Sequence, residues 1–353
     1  MITTCFRADA SVGVGTGHLM ECLTLAESFA RTLSSGALFL VNDFGPARRA
    51  IGEKGYPCRI VPEGLSQNGE AAWISEIAGE VGAKLLVCSL LGRDNAFYQA
   101  LRGKGATVVA ILDDAGPTPV PADLMVNFSV LQDESSYRGH NGSGTRFLLG
   151  PRFMPMGEEF HGSWSRRRPV PEEAKTIFVN QGGSDPFGLT AKILRGLELL
   201  ELPQEIVVVV GSAVTDAHRR ELKAIGEEAR NSYSFAWGVT PKEMREIMDR
   251  SDLAITAAGN TLYELAIFGV PSIIVSHHER HLAVAERFAE LGAGVNLGIG
   301  SLLPEAEIAR AVERLLGSRE ERQALSDRIK GIGDGLGCQR IAEAVKSAWH
   351  GSS

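Results

Sequence analysis

A glycine-rich turn that ends in a histidine is the first feature of this sequence able to do chemistry. Residues 13–18 read GVGTGH and follow the apolar segment 2–6 after a short polar stretch. Glycines ahead of a helix let a ligand approach the backbone and present free N–H groups to anionic or hydroxyl-rich atoms. As a dinucleotide fingerprint the turn is incomplete, because His18 occupies the position of the third glycine. It therefore favours a ligand site other than one for NAD.

His18 is the candidate catalytic residue. At a helix N-terminus the positive end of the helix dipole disfavours the protonated imidazole, which leaves a neutral nitrogen available as a base. The loop carrying His18 follows the first strand, and open α/β sheets bind ligands beyond the carboxyl ends of their strands. A histidine that only caps or packs against its helix is the alternative interpretation.

A second glycine pair stands in the other half of the chain. Residues 180–185 read NQGGSD and separate an apolar segment from a helical one. Gly182, Gly183 and Ser184 at such a junction suit a diphosphate or sugar hydroxyls. A plain tight turn has the same composition and is the alternative.

The most specific motif covers residues 252–271, DLAITAAGNTLYELAIFGVP. A strand is expected to end at residue 256, with a helix opening at Thr261 and Glu264 one turn inside it. In one interpretation Gly259, Asn260 and Thr261 donate to phosphates while the Glu264 carboxylate accepts from vicinal ribose hydroxyls. In the other, Thr261 and Glu264 form a capping box, since their spacing is S/T-x-x-E.

The hydrophobic pattern behind these motifs predicts an α/β chain. Short β-branched runs alternate with amphipathic segments, as in buried parallel strands joined by helices. The expected strands are residues 2–6, 37–41, 85–88, 107–112, 177–180, 206–210, 234–237, 253–256 and 272–275. A chain of 353 residues is long enough for two cores. We therefore expect two Rossmann-like domains facing a central cleft.

Proline and charge place the domain boundary. A linker is predicted over residues 161–174, which include GSWSRRRPVPEEA. The first domain then covers residues 1–160 and carries His18, and the nucleotide-binding domain covers residues 175–353. A terminal helix is expected over residues 337–349, and packing back on the first domain is one option for it.

Composition argues against several classes of protein. The net charge is −7 with no basic run, which disfavours a nucleic-acid or membrane-surface binder. Five scattered cysteines without a CxxC pair are typical of buried thiols in a reducing compartment. Neither a signal-peptide pattern nor an uninterrupted apolar stretch of ~18 residues is present. We expect a cytoplasmic protein without stable membrane insertion and, since a cleft needs no second chain, a monomer.

Together these motifs resemble the glycosyltransferase-B superfamily, and more closely the UDP-sugar hydrolases of pseudaminic acid biosynthesis and related spore-coat polysaccharide proteins. Those hydrolases carry R-x-D and G-x-G-H after the first strand, an Asp-Asp pair in the middle, and G-G-[ST]-D in the second domain. The matching residues are Arg7, Asp9, Gly15, Gly17, His18, Asp113, Asp114, Gly182, Gly183, Ser184 and Asp185. The resemblance extends to about Leu297 and implies a fold of the glycosyltransferase-B type.

The resemblance also implies a reaction. It is the metal-independent hydrolysis of a UDP-linked deoxyamino sugar, in which His18 activates water and the second domain holds UDP as the leaving group. No cofactor is expected. Arg7, Asp9, Gly15 and Gly17 are then substrate contacts. Asp113 and Asp114 are sugar contacts in this interpretation, or capping carboxylates of a turn in the other.

Two departures from the hydrolase pattern leave the reaction open. The hydrolases have D-x-Y after the fourth strand, whereas residues 88–92 here read CSLLG. They also have an Asn-Gln pair where residues 277–281 here read HHERH. A metal is disfavoured in that cluster, because adjacent histidines point opposite ways in regular structure. His278 and Glu279 are expected to contact a sugar or acceptor, and an exposed helix start is the alternative.

Three functions follow from these expectations. The first is a hydrolase that releases UDP from a modified UDP-sugar, with His18 as general base. The second is an inverting glycosyltransferase in which His18 deprotonates an acceptor hydroxyl. The absence of the D-x-Y pattern favours this function. The third is a nucleotide-sugar-binding protein without turnover.

Overall fold

The computed structural model describes residues 2–112, 120–140, 144–163 and 169–350. Within them the chain forms two compact units. The first runs to Gly157 and resumes at Leu336, and the second comprises Glu158–Gly335. Each unit is built around one parallel sheet with helices between successive strands.

The first unit alternates strands and helices as its sequence pattern predicts. Its strands are β1 (Ile2–Ala8), β2 (Ser35–Val41), β3 (Cys58–Ile60), β4 (Ala83–Ser89), β5 (Thr107–Leu112), β6 (Leu124–Asn127) and β7 (Arg146–Leu149). Its first four helices are α1 (Gly17–Thr32), α2 (Gly45–Glu53), α3 (Gln67–Glu80) and α4 (Asn95–Leu101). Short 3₁₀ helices follow at Glu134–His140 and Pro151–Phe153.

The first sheet has the strand order β3-β2-β1-β4-β5-β6-β7, and all its pairs are parallel. The order reverses between β1 and β4, and ligands of doubly wound sheets bind beyond the carboxyl ends of the strands at such a point. Helix α1 covers the sheet with Leu19, Cys22 and Phe29, all buried. The loop from β1 into α1, which leads to His18 on the first turn of that helix, therefore lies at the switch point of this sheet.

The second unit repeats this plan. Its strands are β8 (Thr176–Asn180), β9 (Glu205–Val210), β10 (Tyr233–Trp237), β11 (Leu253–Thr256), β12 (Ser272–Ser276) and β13 (Val295–Ile299). Its helices are α5 (Leu189–Leu197), α6 (Asp216–Glu228), α7 (Pro241–Arg250), α8 (Asn260–Phe268), α9 (Glu279–Glu290), α10 (Glu305–Gly317) and α11 (Arg319–Ile329). A 3₁₀ turn, Glu158–Phe160, packs Phe160 against Phe268 of α8.

The second sheet is also parallel, in the order β10-β9-β8-β11-β12-β13. Its four central strands are buried on both faces, as expected when helices cover both. Its switch point lies between β8 and β11. The two glycine motifs of this unit follow these two strands, so chain topology brings together segments that are about 80 residues apart in sequence.

The last helix, α12 (Gly337–His350), belongs to the first unit and contacts α1, β5 and β6. Gly337 makes this packing possible, since a Cβ there would lie 2.0 Å from the Met154 carbonyl oxygen. No helix in the described ranges is long and apolar enough to cross a membrane. The predicted α/β class with two Rossmann-like domains is confirmed.

Candidate functional site

His18 stands on the first turn of α1 and is buried. Its Nδ1 lies 2.8 Å from the hydroxyl of Ser89, the last residue of β4. The Ser89 hydroxyl in turn donates to Oε2 of Glu21 at 2.9 Å. Glu21 is three residues beyond His18 on the same helix and is also buried. A chain of three buried polar side chains therefore begins at the candidate base.

Nε2, the other ring nitrogen of His18, makes no hydrogen bond to a described residue. Nothing in α1 uses the imidazole as a cap, because the helix begins after Thr16 without a side-chain cap. The capping alternative for His18 is thus wrong for the described structure. An imidazole held through Nδ1 alone has the geometry of a general base.

Arg7 and Asp9 form a buried ionic network. The Arg7 side chain is fully buried and donates to Glu70 at 2.7 Å and to Asp9 at 3.0 Å. Arg93 adds a hydrogen bond to Glu70 at 2.9 Å. Burial by itself raises the pKa of Glu70, but the hydrogen bond from Arg93 and the charge of Arg7 outweigh it and lower that pKa. The network therefore favours the ionised form of Glu70.

Asp9 connects this network to the loop after β4. Its Oδ2 accepts from the Leu91 backbone N–H at 3.1 Å, and its own N–H donates to the Ser89 carbonyl at 3.1 Å. These bonds fix the segment that carries the partner of His18. They favour a positioning role for Arg7 and Asp9, for which direct substrate contact remains only a prediction.

The loop ahead of α1 is a tight hairpin. Ser11 and Gly15 exchange two backbone hydrogen bonds, and the Ser11 hydroxyl accepts from the Val14 N–H at 3.1 Å. Gly15 has φ +79°, a left-handed conformation that favours glycine. Gly15 is thus needed for the turn itself, and Gly17 is the first residue of α1. Substrate contact by these two glycines remains a prediction.

In the second unit, Asn180 ties the two glycine motifs together. Its Oδ1 accepts from the Gly182 N–H at 3.0 Å and from the Thr261 hydroxyl at 3.2 Å. Gly182 has φ +77°, as a tight turn requires. Asp185 accepts from the N–H groups of Leu189 and Thr190, so its carboxylate caps α5.

The backbone of Gly183 packs closely on the next loop. A Cβ at Gly211 would lie 2.2 Å from the Gly183 carbonyl oxygen, which also accepts from the Ala213 N–H. Ser184 follows and is buried. The Gly182–Ser184 turn is therefore held rigidly at the carboxyl end of β8.

The start of α8 bears on the capping-box interpretation of Thr261 and Glu264. The helix begins at Asn260 with Gly259 as its N-cap, and no side chain caps it. Thr261 lies inside the first turn and donates its hydroxyl to Asn180, so the capping-box alternative is wrong. Glu264 makes no hydrogen bond to a described residue. Burial, with the nearby Glu159 charge, raises the pKa of Glu264 to about 7.

The histidine cluster lies at the carboxyl end of β12. His278 is the N-cap of α9 in extended conformation, and Glu279 is the first residue of that helix. His277 and His278 both contact His281, with ring centroids 5.2 and 4.2 Å away. The expectation that adjacent histidines point opposite ways concerns regular structure, and it does not apply to His278, which precedes the helix. Burial lowers the pKa of His277 to about 4 and that of His281 to about 3.

Three buried polar atoms at the carboxyl ends of β8, β11 and β12 lack a hydrogen-bond partner among described residues, and sequence reasoning missed them. They are Nε2 of Gln181, Oγ1 of Thr256 and Oγ of Ser276, all buried and without a hydrogen bond to any described residue. Gln181 follows β8, while Thr256 and Ser276 end β11 and β12. Such atoms are rare in folded proteins and are explained by bound water or ligand. The only sequence signal for them is a polar residue closing each apolar strand.

Metal-binding clusters and the Asp-Asp pair in the middle of the chain are the remaining candidate features of the site. Among the residues that the structure describes, no group of three or more His, Cys, Asp or Glu side chains is arranged to hold a metal ion. Asp113 and Asp114 lie outside the described residues. Their predicted contact with the sugar therefore remains a prediction.

The two sheets and their switch points define the class of fold. Residues 176–335 match the glycosyltransferase family 28 C-terminal domain. Among solved structures, MurG of Acinetobacter baumannii is similar with a TM-score of 0.69 at 13% identity, over 98% of this chain and 99% of that chain. The chain therefore has the glycosyltransferase-B fold.

Two proteins, from Bacillus subtilis and Helicobacter pylori, are similar to this chain in sequence. The chain is 25% identical over 352 residues to the spore coat polysaccharide biosynthesis protein SpsG of Bacillus subtilis, and the match covers 97% of each. It is 24% identical over 168 residues to the pseudaminic acid cytidylyltransferase and UDP-2,4-diacetamido-2,4,6-trideoxy-β-L-altropyranose hydrolase of Helicobacter pylori. That match covers 48% of this chain and 29% of the Helicobacter protein. The comparisons support the glycosyltransferase-B superfamily, and the likeness to the hydrolase is partial.

Proposed function

We propose that the protein is a nucleotide-sugar hydrolase that releases UDP from a modified UDP-sugar during surface-polysaccharide biosynthesis. In this proposal the second unit binds UDP, and His18 of the first unit is the general base that activates water at the anomeric carbon. The observation that carries it is the His18 imidazole, which is buried and, among the described residues, hydrogen-bonded through Nδ1 only. Similarity to the spore-coat polysaccharide protein supports the pathway, and the partial likeness to the Helicobacter hydrolase supports the reaction.

The second unit supports nucleotide binding at its switch point. The start of α8 has no side-chain cap, and the glycine turn at the end of β8 lies beside it through Asn180. Backbone N–H groups at a helix start stabilise an anion such as a diphosphate. Glu264 lies one turn into α8 without a hydrogen-bond partner among described residues, and in this proposal it accepts from ribose hydroxyls. These groups would stabilise UDP as it departs.

The first unit supports base catalysis. When water attacks, its proton passes to Nε2 of His18, a new C1–O bond forms, and the old bond from C1 to the UDP β-phosphate oxygen breaks with its electron pair. The products are the free sugar and UDP, and the proton on Nε2 then returns to solvent. A buried imidazole with one held nitrogen is preorganised for this transfer.

An inverting glycosyltransferase is the second candidate, and one observation favours it. Val12 and Val14, in the hairpin ahead of α1, and Met20 on that helix are 55%, 40% and 40% exposed. Exposed apolar side chains so close in sequence to the proposed base suit an acceptor with an apolar part, which water does not need. His18 would then deprotonate the acceptor hydroxyl.

One experiment separates these functions. The protein is incubated with a panel of UDP-sugars, with and without hydroxyl acceptors, and free UDP and free sugar are quantified. UDP and free sugar released in equal amounts without acceptor support hydrolysis. UDP released only with acceptor supports the transferase, and UDP binding without any release contradicts both.

A further inference from the structure

Glu21 is a buried acid that the proposed reaction does not yet use. It is 3% exposed, at a depth where an ionised carboxylate is costly unless it is paired. It faces the end of β4, where its Oε2 accepts the Ser89 hydroxyl at 2.9 Å. That same oxygen lies 3.9 Å from Nδ1 of His18. The acid is thus one hydroxyl group away from the proposed base.

Ser89 links Glu21 to His18 by two hydrogen bonds, and its single hydroxyl proton can serve only one of them. A serine hydroxyl has one proton to donate, and an ionised Glu21 can only accept, so with Glu21 ionised that proton points to Glu21. The Ser89 oxygen must then accept at its 2.8 Å contact with His18, so Nδ1 of the imidazole carries the proton. In a neutral ring, Nε2 is then the nitrogen with a free lone pair.

We propose that Glu21, acting through Ser89, is a positioning residue that holds His18 in the Nδ1–H tautomer and stabilises its protonated form. The inference rests on the proposed function, because it assigns His18 the task of a base. When Nε2 takes a proton from water or from an acceptor hydroxyl, the ring becomes a cation that keeps its Nδ1 proton. The Glu21 carboxylate, still bonded to Ser89, balances that charge without itself taking a proton.

The Glu21–Ser89–His18 relay accounts for the absence of an aspartate that the hydrolases resembling this sequence carry after the fourth strand. They carry a carboxylate just after the fourth strand, and this chain has Ser89-Leu90-Leu91 there. The structure supplies a carboxylate from α1, since Glu21 lies one turn beyond His18 on that helix. The missing aspartate is therefore no argument against base catalysis by His18.

The test compares Glu21→Gln with a matched control on the same helix. Glu27→Gln removes an acid that pairs at the surface with Lys54, away from the relay. The tautomer of His18 is measured in the ligand-free protein by two-bond ¹H–¹⁵N correlation of labelled histidine, and kcat and KM are measured with the UDP-sugar that is turned over fastest. We expect the wild type and Glu27→Gln to show the Nδ1–H tautomer and equal kcat.

In Glu21→Gln the neutral amide either accepts from or donates to Ser89, so the tautomer is no longer fixed. We expect a mixture of tautomers and a kcat lower by roughly 10- to 100-fold, with KM changed by less than about 3-fold. The double variant Glu21→Gln/Ser89→Asp places a carboxylate directly against Nδ1. It should recover at least about a third of the lost activity on a logarithmic scale and restore the Nδ1–H tautomer.

Each result decides the proposal. A wild-type His18 in the Nε2–H tautomer overturns it, as does a Glu21→Gln variant with wild-type kcat and only a lower melting temperature. If no UDP-sugar or acceptor gives turnover, the proposed function fails. The tautomers of wild type and Glu21→Gln then still decide whether the relay exists: a fixed Nδ1–H tautomer lost in the variant supports it, and an unchanged tautomer refutes it.

Discussion

Glu264→Gln should have opposite effects on stability and on nucleotide binding. The Glu264 carboxyl is half-buried, makes no hydrogen bond to a described residue, and lies near the Glu159 charge, which together raise its pKa from 4.5 to about 7. An acid whose pKa is raised by folding is neutral at no cost below pH 4.5. The cost to the folded state grows as the pH rises from 4.5 to about 7 and is constant above that. The amide of the variant carries no such cost.

The size of the effect follows from the change in pKa. A rise from 4.5 to about 7 corresponds to about 3 kcal/mol at full ionisation, and partial exposure reduces this to about 2 kcal/mol. For a domain of this size that is a gain of about 4–8 °C in melting temperature at pH 8. At pH 5, only just above the unfolded-state pKa of 4.5, we expect a much smaller gain.

The affinity for UDP should fall in Glu264→Gln, whereas the stability rises. A carboxylate that accepts from two ribose hydroxyls must be ionised, so UDP affinity should be about tenfold lower at pH 6 than well above pH 7. Glu264→Gln should weaken UDP binding at pH 8 by roughly 10- to 100-fold and remove this part of the pH dependence. The ratio of wild-type to variant affinity is the quantity to compare, because the ionisation of UDP itself cancels in it.

Thermal unfolding and calorimetric titration with UDP at pH 5, 6 and 8 make both measurements. Glu313→Gln, an exposed acid on α10, is the matched control and should change neither quantity by more than a small amount. A variant that is destabilised at pH 8 and binds UDP like the wild type would refute the reasoning, since it would show that Glu264 has a structural role only.

Two other substitutions test the scaffold of the site. Arg7→Met leaves Glu70 and Asp9 without their shared buried cation, and we expect urea denaturation to give a loss of roughly 3–5 kcal/mol; a loss below about 1 kcal/mol would show that Arg93 suffices. Gly211→Ala drives a methyl group into the Gly183 carbonyl, 2.2 Å away, so UDP affinity should fall by about tenfold or more. Gly317→Ala, which meets no atom within 4 Å, is its control, and unchanged UDP affinity in Gly211→Ala would separate that turn from the nucleotide site.

Much of the fold was predictable because buried strands leave a strong apolar signal. All nine expected strands occur, from β1 to β12. The four that were missed are short or half-exposed: β3 has three residues, β6 and β7 have four each, and β13 is half-buried throughout with Gly298 inside it. Their stability comes from pairing with neighbouring strands, which a local pattern does not contain.

The candidate site was predictable in part. The motifs at His18 and at Gly259 stood out because glycines and helix starts are local features. Glu21 and Ser89 did not, since they are 68 residues apart and their contact depends on the pairing of β4 with β1. The capping-box interpretation of Thr261 was wrong for a similar reason. The partner of Thr261 is Asn180, which is distant in sequence at the end of β8, and α8 begins earlier than the capping pattern indicates.

The central claim is that His18 directs water to the anomeric carbon of a UDP-sugar. Turnover in H₂¹⁸O followed by mass spectrometry of both products tests it most directly. We predict ¹⁸O in the released sugar, none in UDP, and a rate lowered by ~10²-fold or more in His18→Ala with UDP affinity nearly intact. Heavy oxygen in the UDP β-phosphate, or a His18→Ala variant with the wild-type rate, would contradict the account.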